Sequence, residues 1–420
     1  MKIVKKIHSG FKQTPIGNIP IDWELAVLGK YINCFSGGTP LRSQPKYYNG
    51  IIPWIKSGEL NGKVITKTEE LITDDAVKKS STKFVEPNTL LYALYGATAG
   101  IPAFNVIQAT INQAILAIIP KKSALNNVFL YFWFLYKRDK LISIYTQGAQ
   151  PNLSSQIVKN YKIPLPPLPE QKKITEILST WDSAIETITK LIDAKMKLKK
   201  GLMQQLLTGR TRFKEFGEPV EKDELPEAWK ERAIGEIFVE EKRSADLKDD
   251  YQYNLVTVKR RNGGVEKRSN LKGREILTKN QFFIKTDDFL ISKRQIVHGA
   301  CGVVPKELSD SIVSNEYLVL RVRNGYNIIY LKYFSCLPVF KKDCYLSSIG
   351  VHIEKMLFKP QWWFKTKYYF PTLSEQNHIA SVLITADKAI KILNKKLEAL
   401  KQQKKGLMQQ LLTGKTRVKV

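Results

Sequence analysis

A chain of 420 residues is long enough for two or three domains, each burying its own core. Its hydrophobic fraction of 43% is that of a globular protein, but 67 Lys and Arg against 39 Asp and Glu leave a net charge of +28. That surplus points to a polyanionic partner, nucleic acid ahead of an anionic membrane surface, and four cysteines with no CxxC pair exclude a disulfide scaffold and argue for a reducing compartment.

In chain order, "MKIVKKIHSGFKQTP" is basic but has no apolar run of the signal-peptide kind. The uncharged stretch 87–120 is interrupted by Pro102, glycines and scattered Asn and Gln. It therefore reads as buried strands and not as a span of about 20 apolar residues, which predicts a soluble, cytoplasmic protein. Blocks 30–163 and 236–368 are rich in Ile, Val, Tyr and Phe and are punctuated by Gly, Pro and Asn. Each predicts a mostly β globule with a few helices, one of them over 126–145. His298-Gly-Ala-Cys301 has metal-ligand spacing but no CxxC beside it, and no metal is expected.

An internal repeat organises the whole chain. "KKGLMQQLLTGRTR" (199–212) returns as "KKGLMQQLLTGKTR" (404–417), and "PLPPLPEQKKITEIL" (164–178) answers "YFPTLSEQNHIASVL" (369–383), both at an offset of 205. Upstream, Trp23 and Gly29 match Trp229 and Gly235. Ile174, Leu178, Trp181, Ile185, Ile188 and Ile192, and again Ile379, Leu383, Ala386, Ile390, Leu393 and Leu397, form heptad seams. The seams predict two helices of about 57 Å each at 1.5 Å per residue, packed on each other or, alternatively, paired with other chains. Ser374 is the expected N-cap and Pro169 a first-turn residue. Gly209 and Gly414 are the expected left-handed C-caps. Gly414-Lys415-Thr416 is therefore not a phosphate loop: Gln409 stands where that motif requires Gly, and the tripeptide closes a helix instead of opening one. Gly201 and Gly406, inside the helices at a cost of about 1 kcal/mol each, suggest a close helix approach or a partner contact. The repeat also predicts that the C-terminal "TGKTRVKV" ends near the N-terminal segment.

Two dissimilar blocks on a repeated helical frame, in so basic a chain, describe a reader of bipartite DNA. Lys and Arg would supply backbone affinity and other side chains the base readout, with two half-sites about one helical turn apart. In the first block the loop "GGTPLRSQPKYYNG" offers Thr39, Arg42, Lys46, Tyr47 and Tyr48, followed by Lys56. "YTQGAQPNLS" offers Gln147, Gln150 and Asn152, amides suited to adenine. In the second block "TVKRRNGGVEKR" places Lys259, Arg260, Arg261 and Asn262 in a Gly-bearing turn that reads as a hairpin tip entering a groove. Lys293, Arg294 and His298 form a second group.

"FKQTPIGNIPIDW", "FSGGTPLRSQPKYYNGIIPWIKSGEL", "PLPPLPEQKKI", "LLTGRTRF", "LPEAWK" and "FPTLSEQNHIA" together resemble the specificity subunit of type I restriction–modification systems, over essentially the whole chain. The resemblance implies an α+β fold: two mixed, mainly β target recognition domains joined by two long antiparallel helices that form a coiled-coil spacer, with a pseudo-two-fold internal repeat. The implied divisions are an N-terminal arm (1–22), recognition domain 1 (23–163), spacer helix 1 (164–212), a connector (213–228), recognition domain 2 (229–369) and spacer helix 2 (370–420). It implies a non-catalytic chain that binds double-stranded DNA and recruits methyltransferase and restriction/translocase subunits. S-adenosylmethionine, ATP and Mg are then expected on those partners and not here. The residues agree in lacking an Asn-Pro-Pro-Tyr tetrapeptide, a Gly-rich cofactor loop and a Walker pair. Two other readings stay open at this point: the recognition part of a fused methyltransferase–nuclease, and a coiled-coil adaptor that binds protein only.

Overall fold

The structure is a computed structural model that describes residues 10–62, 64–145, 152–221 and 224–419. The chain divides into two compact units, Met1–Thr189 with Lys395–Val420, and Lys190–Asn394. Two helices of 39 residues each, α1 (Leu168–Leu206) and α2 (Leu373–Leu411), contribute to both. Each begins in one unit and ends in the other.

Within each unit the helix segments run antiparallel, as the resemblance implies. In the first unit Lys404 meets Asp182 at 2.5 Å and Arg417, just past α2, meets Glu170 at 2.7 Å. Position rises along one helix as it falls along the other. In the second unit Lys199 meets Asp387 at 2.5 Å and Arg212, just past α1, meets Glu375 at 2.9 Å. Ile174, Leu178 and Ile192 of α1 and Ile379, Leu383 and Leu397 of α2 are the buried seam residues.

Both C-caps form as expected. Gly209 and Gly414 have φ of 74° and 68°. The Thr211 and Thr416 amides reach back six residues to the Gln205 and Gln410 carbonyls, both at 3.2 Å, and close the helix ends just past the left-handed glycines. A Cβ at either glycine would also stand 2.4 Å from a proline ring, Pro226 or Pro20. Two expectations are corrected. The N-cap is Thr372, whose hydroxyl accepts from the Glu375 amide at 3.4 Å, and Ser374 is already inside the helix. A Cβ on Gly201 or Gly406 would meet nothing within 4 Å among the described residues, so close helix approach is not the reason for these glycines.

Each unit carries two larger sheets besides its two-stranded ladders, and the central strands of these sheets use the same connections in both units although their sequences share little. In the first unit Ala109–Ile111 pairs parallel with Tyr48–Ile55 and antiparallel with Lys83–Val85, and Tyr48–Ile55 pairs antiparallel with Glu70–Ile72. In the second, Ile312–Ser314 pairs parallel with Gln252–Lys259 and antiparallel with Gln281–Phe283, and Gln252–Lys259 pairs antiparallel with Gly264–Lys272. The other sheet runs Ile32–Ser36, Ile115–Pro120, Leu90–Ala93, Pro102–Asn105, Val64–Ile65 in one unit and Phe238–Glu240, Tyr317–Val322, Phe289–Ser292, Cys301–Val303 in the other. Side chains of alternating strand positions fill the space between sheets, Leu91, Ala93 and Ile111 in one unit and Val256, Leu290 and Val319 in the other. The apolar stretch 87–120 is thus strand, and the segment read as a helix over 126–145 is a helix over Asn127–Tyr145. Among the described residues no helix is long and apolar enough to cross a membrane.

A short ladder closes each block onto its lead-in segment, Glu24–Val27 with Lys162–Leu165 and Lys230–Ala233 with Lys367–Phe370. The helix that follows therefore starts beside the tryptophan that precedes the block. Trp23 donates to Glu170 at 2.9 Å and Trp229 to Glu375 at 3.2 Å. Gln171 and Gln376 donate to the carbonyls of Pro166 and Pro371, and accept from the Asn126 and Asn327 amides. In the first unit Arg417 completes the junction, so the C-terminal segment does end at the N-terminal one: its guanidinium also holds Asp22, at 2.7 and 2.8 Å.

Candidate nucleic-acid interface

In the first unit the loop before Tyr48–Ile55 brings Arg42, Tyr48 and Lys56 together. The Arg42 guanidinium lies over the Tyr48 ring at 4.6 Å and the Trp54 ring at 5.1 Å, and it donates to Glu70 at 2.7 and 3.3 Å. Lys56 donates to the same carboxylate at 2.9 Å and pairs with Glu69 at 2.9 Å. The hydrogen bond from Arg42, with help from Lys56, holds the Glu70 carboxyl below its usual range. One carboxylate thus fixes the direction of two cations, while more than half of the Arg42 side chain stays exposed. A cavity of about 490 Å³ opens beside them, lined by Arg42, Tyr48, Asn49, Gly50, Glu69 and Glu70 among others.

The other candidates of this block divide. Lys46 is exposed. Thr39 is exposed, but its hydroxyl is hydrogen-bonded to Gln113. Tyr47 is corrected: it is buried with Trp54, Ile72 and Ala76, because the short helical turn at Pro45–Tyr47 turns its ring inward, and it is a packing residue. Asn152 is exposed and bridges to Tyr95. Gln147 and Gln150 lie outside the described residues.

In the second unit the predicted hairpin is present. Gln252–Lys259 and Gly264–Lys272 pair antiparallel, with a register shift between Leu255 and Val256, up to Lys259 opposite Gly264. At the turn, Arg261 and Asn262 both have positive φ, 58° and 56°, and the Gly263 amide bonds the Arg260 carbonyl at 3.2 Å. Two successive left-handed residues define the type I′ turn whose twist suits a hairpin. An arginine in that region carries strain of order 1 kcal/mol, and two backbone bonds hold it there: Arg261 N–H to the His298 carbonyl at 2.7 Å and Asn262 N–H to the Gly299 carbonyl at 2.8 Å. The tip presents an exposed Arg261 whose guanidinium has no ion-pair or hydrogen-bond partner among the described residues. Arg260 is aimed by Gln295 at 2.7 Å and Glu354 at 2.9 Å, and Lys259 pairs with Glu266 at 2.8 Å.

Asn262, the other candidate of this turn, is half-buried. Its amide points inward, 3.5 Å from the Cys301 sulfur and 3.4 Å from the Ser335 carbonyl, because the left-handed turn rotates it towards the sheet. Lys293 donates to the Asn315 carbonyl at 2.7 Å, and Arg294 pairs with Glu316 at 2.5 Å while remaining largely exposed. His298 Nε2 lies 3.2 Å from a Glu354 carboxylate oxygen without hydrogen-bond geometry. Among the described residues no three His, Cys, Asp or Glu side chains converge as metal ligands, and burial pushes the Cys301 thiol up to about 12. The orienting residues Glu70, Gln295 and Glu354 escaped the sequence reading. They lie 28, 35 and 94 positions from the arginines they hold, and only the sheet connections bring them close.

Two mainly β blocks of one topology, each closed onto an antiparallel helix pair and each presenting its own oriented arginines, define a duplicated recognition scaffold. The sequence profile described as "Type I restriction modification DNA specificity domain" matches twice, over residues 20–195 and 226–402. The chain belongs to this family. Among its relatives, the Methanocaldococcus jannaschii protein named "Type I restriction enzyme MjaVIII specificity subunit" is 26% identical, over 98% of this chain and 97% of its own length. The "Putative type I restriction enzyme MjaX specificity subunit" of the same organism is 30% identical over 98% of both chains. In fold, the chain is similar to the type I restriction–modification S subunit from M. genitalium, with a TM-score of 0.56 at 15% identity, covering 93% of this chain and 96% of that one.

Proposed function

We propose that this chain is the DNA sequence-specificity subunit of a type I restriction–modification complex. Each recognition block reads one half of a bipartite, asymmetric target. The observation that carries the reading is the pairing of a duplicated frame with unduplicated loops. The Trp–Glu–Arg junctions match in both units, whereas Arg42 on its aromatic bed and Arg261 on its type I′ tip are unrelated in sequence and setting. A frame repeated with different exposed cations suits two different half-sites.

Residues 23–163 and 229–369 are the recognition domains in this reading, and 164–212 and 370–420 the spacer helices. Arg42, Lys46, Tyr48, Lys56, Thr39 and Asn152 serve the first half-site, with Gln147 and Gln150. Lys259, Arg260, Arg261, Lys293, Arg294 and His298 serve the second. The chain itself performs no chemistry. It works in the cytoplasm by recruiting methyltransferase and restriction/translocase subunits, which carry S-adenosylmethionine, ATP and Mg. Gly201 and Gly406, open to their surroundings on the two helices, suit a partner surface that approaches the backbone closely.

The test is a genome-wide map of adenine methylation in cells carrying the methyltransferase partner, with and without this chain. One gapped motif should appear only with the chain, and replacing residues 30–163 by another block should change one half of that motif. Methylation independent of the chain, although it is folded and partner-bound, would overturn the reading in favour of a protein-only adaptor.

A further inference from the structure

The second unit carries an exposed apolar tip that the function above does not use. Ser348–Ile349 pairs antiparallel with Leu357–Phe358, and residues 350–356 form the loop between them. Val351 is 95% exposed, and Ile349, Ile353 and the nearby Leu346 are each about half exposed or more. Single exposed aliphatics need no explanation, but four within eight positions form a patch of the kind that marks a contact surface.

The base of this hairpin is firmly anchored. Phe358 and Met356 are buried, the Phe358 ring lying 5.7 Å from that of Trp363. The Phe358 amide bonds the Lys293 carbonyl at 2.9 Å, the Lys359 amide the Ser347 carbonyl at 2.8 Å, and the Ser348 hydroxyl the Cys344 carbonyl at 2.7 Å. At Gly350 the two legs pass so closely that a Cβ would stand 2.8 Å from the Met356 Cα. The aliphatic tip is therefore held out by a buried root.

It is continuous with the basic hairpin. Glu354, on the same tip, joins Arg260 at 2.9 Å and His298 at 3.2 Å, and His352 and Lys355 beside it are exposed. An apolar point with Lys355 and the Arg260 hairpin beside it complements a groove whose walls are phosphates and whose floor presents thymine methyl groups. The major groove admits a two-stranded ribbon, and the carboxylate link sets the second ribbon next to the first.

We infer that the tip Ile349–Ile353 enters the major groove of the half-site read by the second domain and recognises thymine 5-methyl groups by apolar contact. This rests on the specificity reading, and the experiment separates the two. The full chain with its methyltransferase is titrated with a duplex carrying the motif found by methylation mapping, and with the same duplex in which thymines of the second half-site are replaced by deoxyuridine. The wild type should lose about five- to tenfold in affinity on the deoxyuridine duplex. The double variant Val351→Ser, Ile353→Ser should lose a similar factor on the natural duplex and little more on the deoxyuridine one, with the slope of affinity against salt unchanged because no phosphate contact is removed. Val351→Thr, which keeps the shape and exchanges one methyl for a hydroxyl, should fall between. Equal binding of both duplexes by the wild type overturns the inference while leaving the specificity reading intact. So does a variant that binds DNA normally but no longer retains the methyltransferase, which would make the tip a protein contact. A wild type that directs no motif overturns both.

Discussion

The two junctions at which a block meets its helix are built from the same residues but finished differently. In the second unit Arg212 and Glu375 are enclosed together, with side chains only 4% and 2% exposed, and Trp229 donates to the same carboxylate. In the first unit Arg417 divides itself between Glu170 and Asp22, and Asp22 is half open to water. Ala228 stands in the second half at the place of Asp22. The difference separates what a duplicated frame must keep from what it is free to change. The enclosed Trp–Glu–Arg contact is kept, because breaking a buried pair strands a charge. The outer carboxylate is optional, and the loops carried beyond it diverge completely.

The largest expected effect breaks the enclosed junction. Glu375→Ala leaves Arg212 buried without a counter-charge and should cost about 3–5 kcal/mol, read from urea unfolding of the full chain. Glu170→Ala should cost clearly less, because Arg417 is more open and keeps Asp22. Equal losses from the two substitutions would mean that Asp22 offers no relief and that the comparison is wrong.

Next come the loops, where binding should fail and stability should not. Arg261→Ala should weaken motif binding by about 1–3 kcal/mol and relax the motif at one position of the second half-site. Lys259→Ala should instead weaken all sequences alike and lower the salt slope by about one. Both should leave unfolding within about 0.5 kcal/mol of the parent, as exposed substitutions do. Loss of the first half of the motif on Arg261→Ala would contradict one domain per half-site.

A smaller effect is expected on the helices. Gly201→Ala and Gly406→Ala should each stabilise the chain by about 1 kcal/mol, since helix propensity improves and a Cβ meets nothing at either site. If a partner approaches there, both should also reduce co-purification of the methyltransferase. Stabilisation with undiminished partner binding would remove these glycines from the partner surface.

How far the sequence was legible follows the same division. The frame could be read because it is written twice: the repeated Trp, Gly-capped helix ends and heptads identify one another, and the paired Trp–Glu–Arg positions were available in the same alignment. The loops were legible only as composition. Lys259, Arg260, Arg261 and Asn262 stood out together as a basic, Gly-bearing turn, but nothing local said that the Asn262 amide would face Cys301. Tyr47 and Tyr48 are neighbours of one type, and only the turn at Pro45 decides which is core and which supports Arg42. Glu70, Gln295 and Glu354 orient cations through sheet pairings that no local pattern encodes. Gly201 misled the reading for the opposite reason, because a glycine within a helix suggests close packing and the space beside it is open.

The smallest effect sharpens the junction comparison through pH. The hydrogen bond from the Arg417 guanidinium holds the Asp22 carboxyl below its ordinary value. A carboxylate whose folded value is depressed contributes stability that is present above its unfolded value, about 4, and disappears as pH falls through the depressed folded value. Asp22→Ala should therefore cost about 0.5–1 kcal/mol at pH 7, since the carboxylate is half exposed. Urea unfolding of parent and variant from pH 7 down to pH 3 should bring the two curves together below about pH 4. A gap that persists undiminished at pH 3 would mean that Asp22 acts through packing instead of charge, and the contrast between the half-open and the enclosed junction would then rest on shape alone.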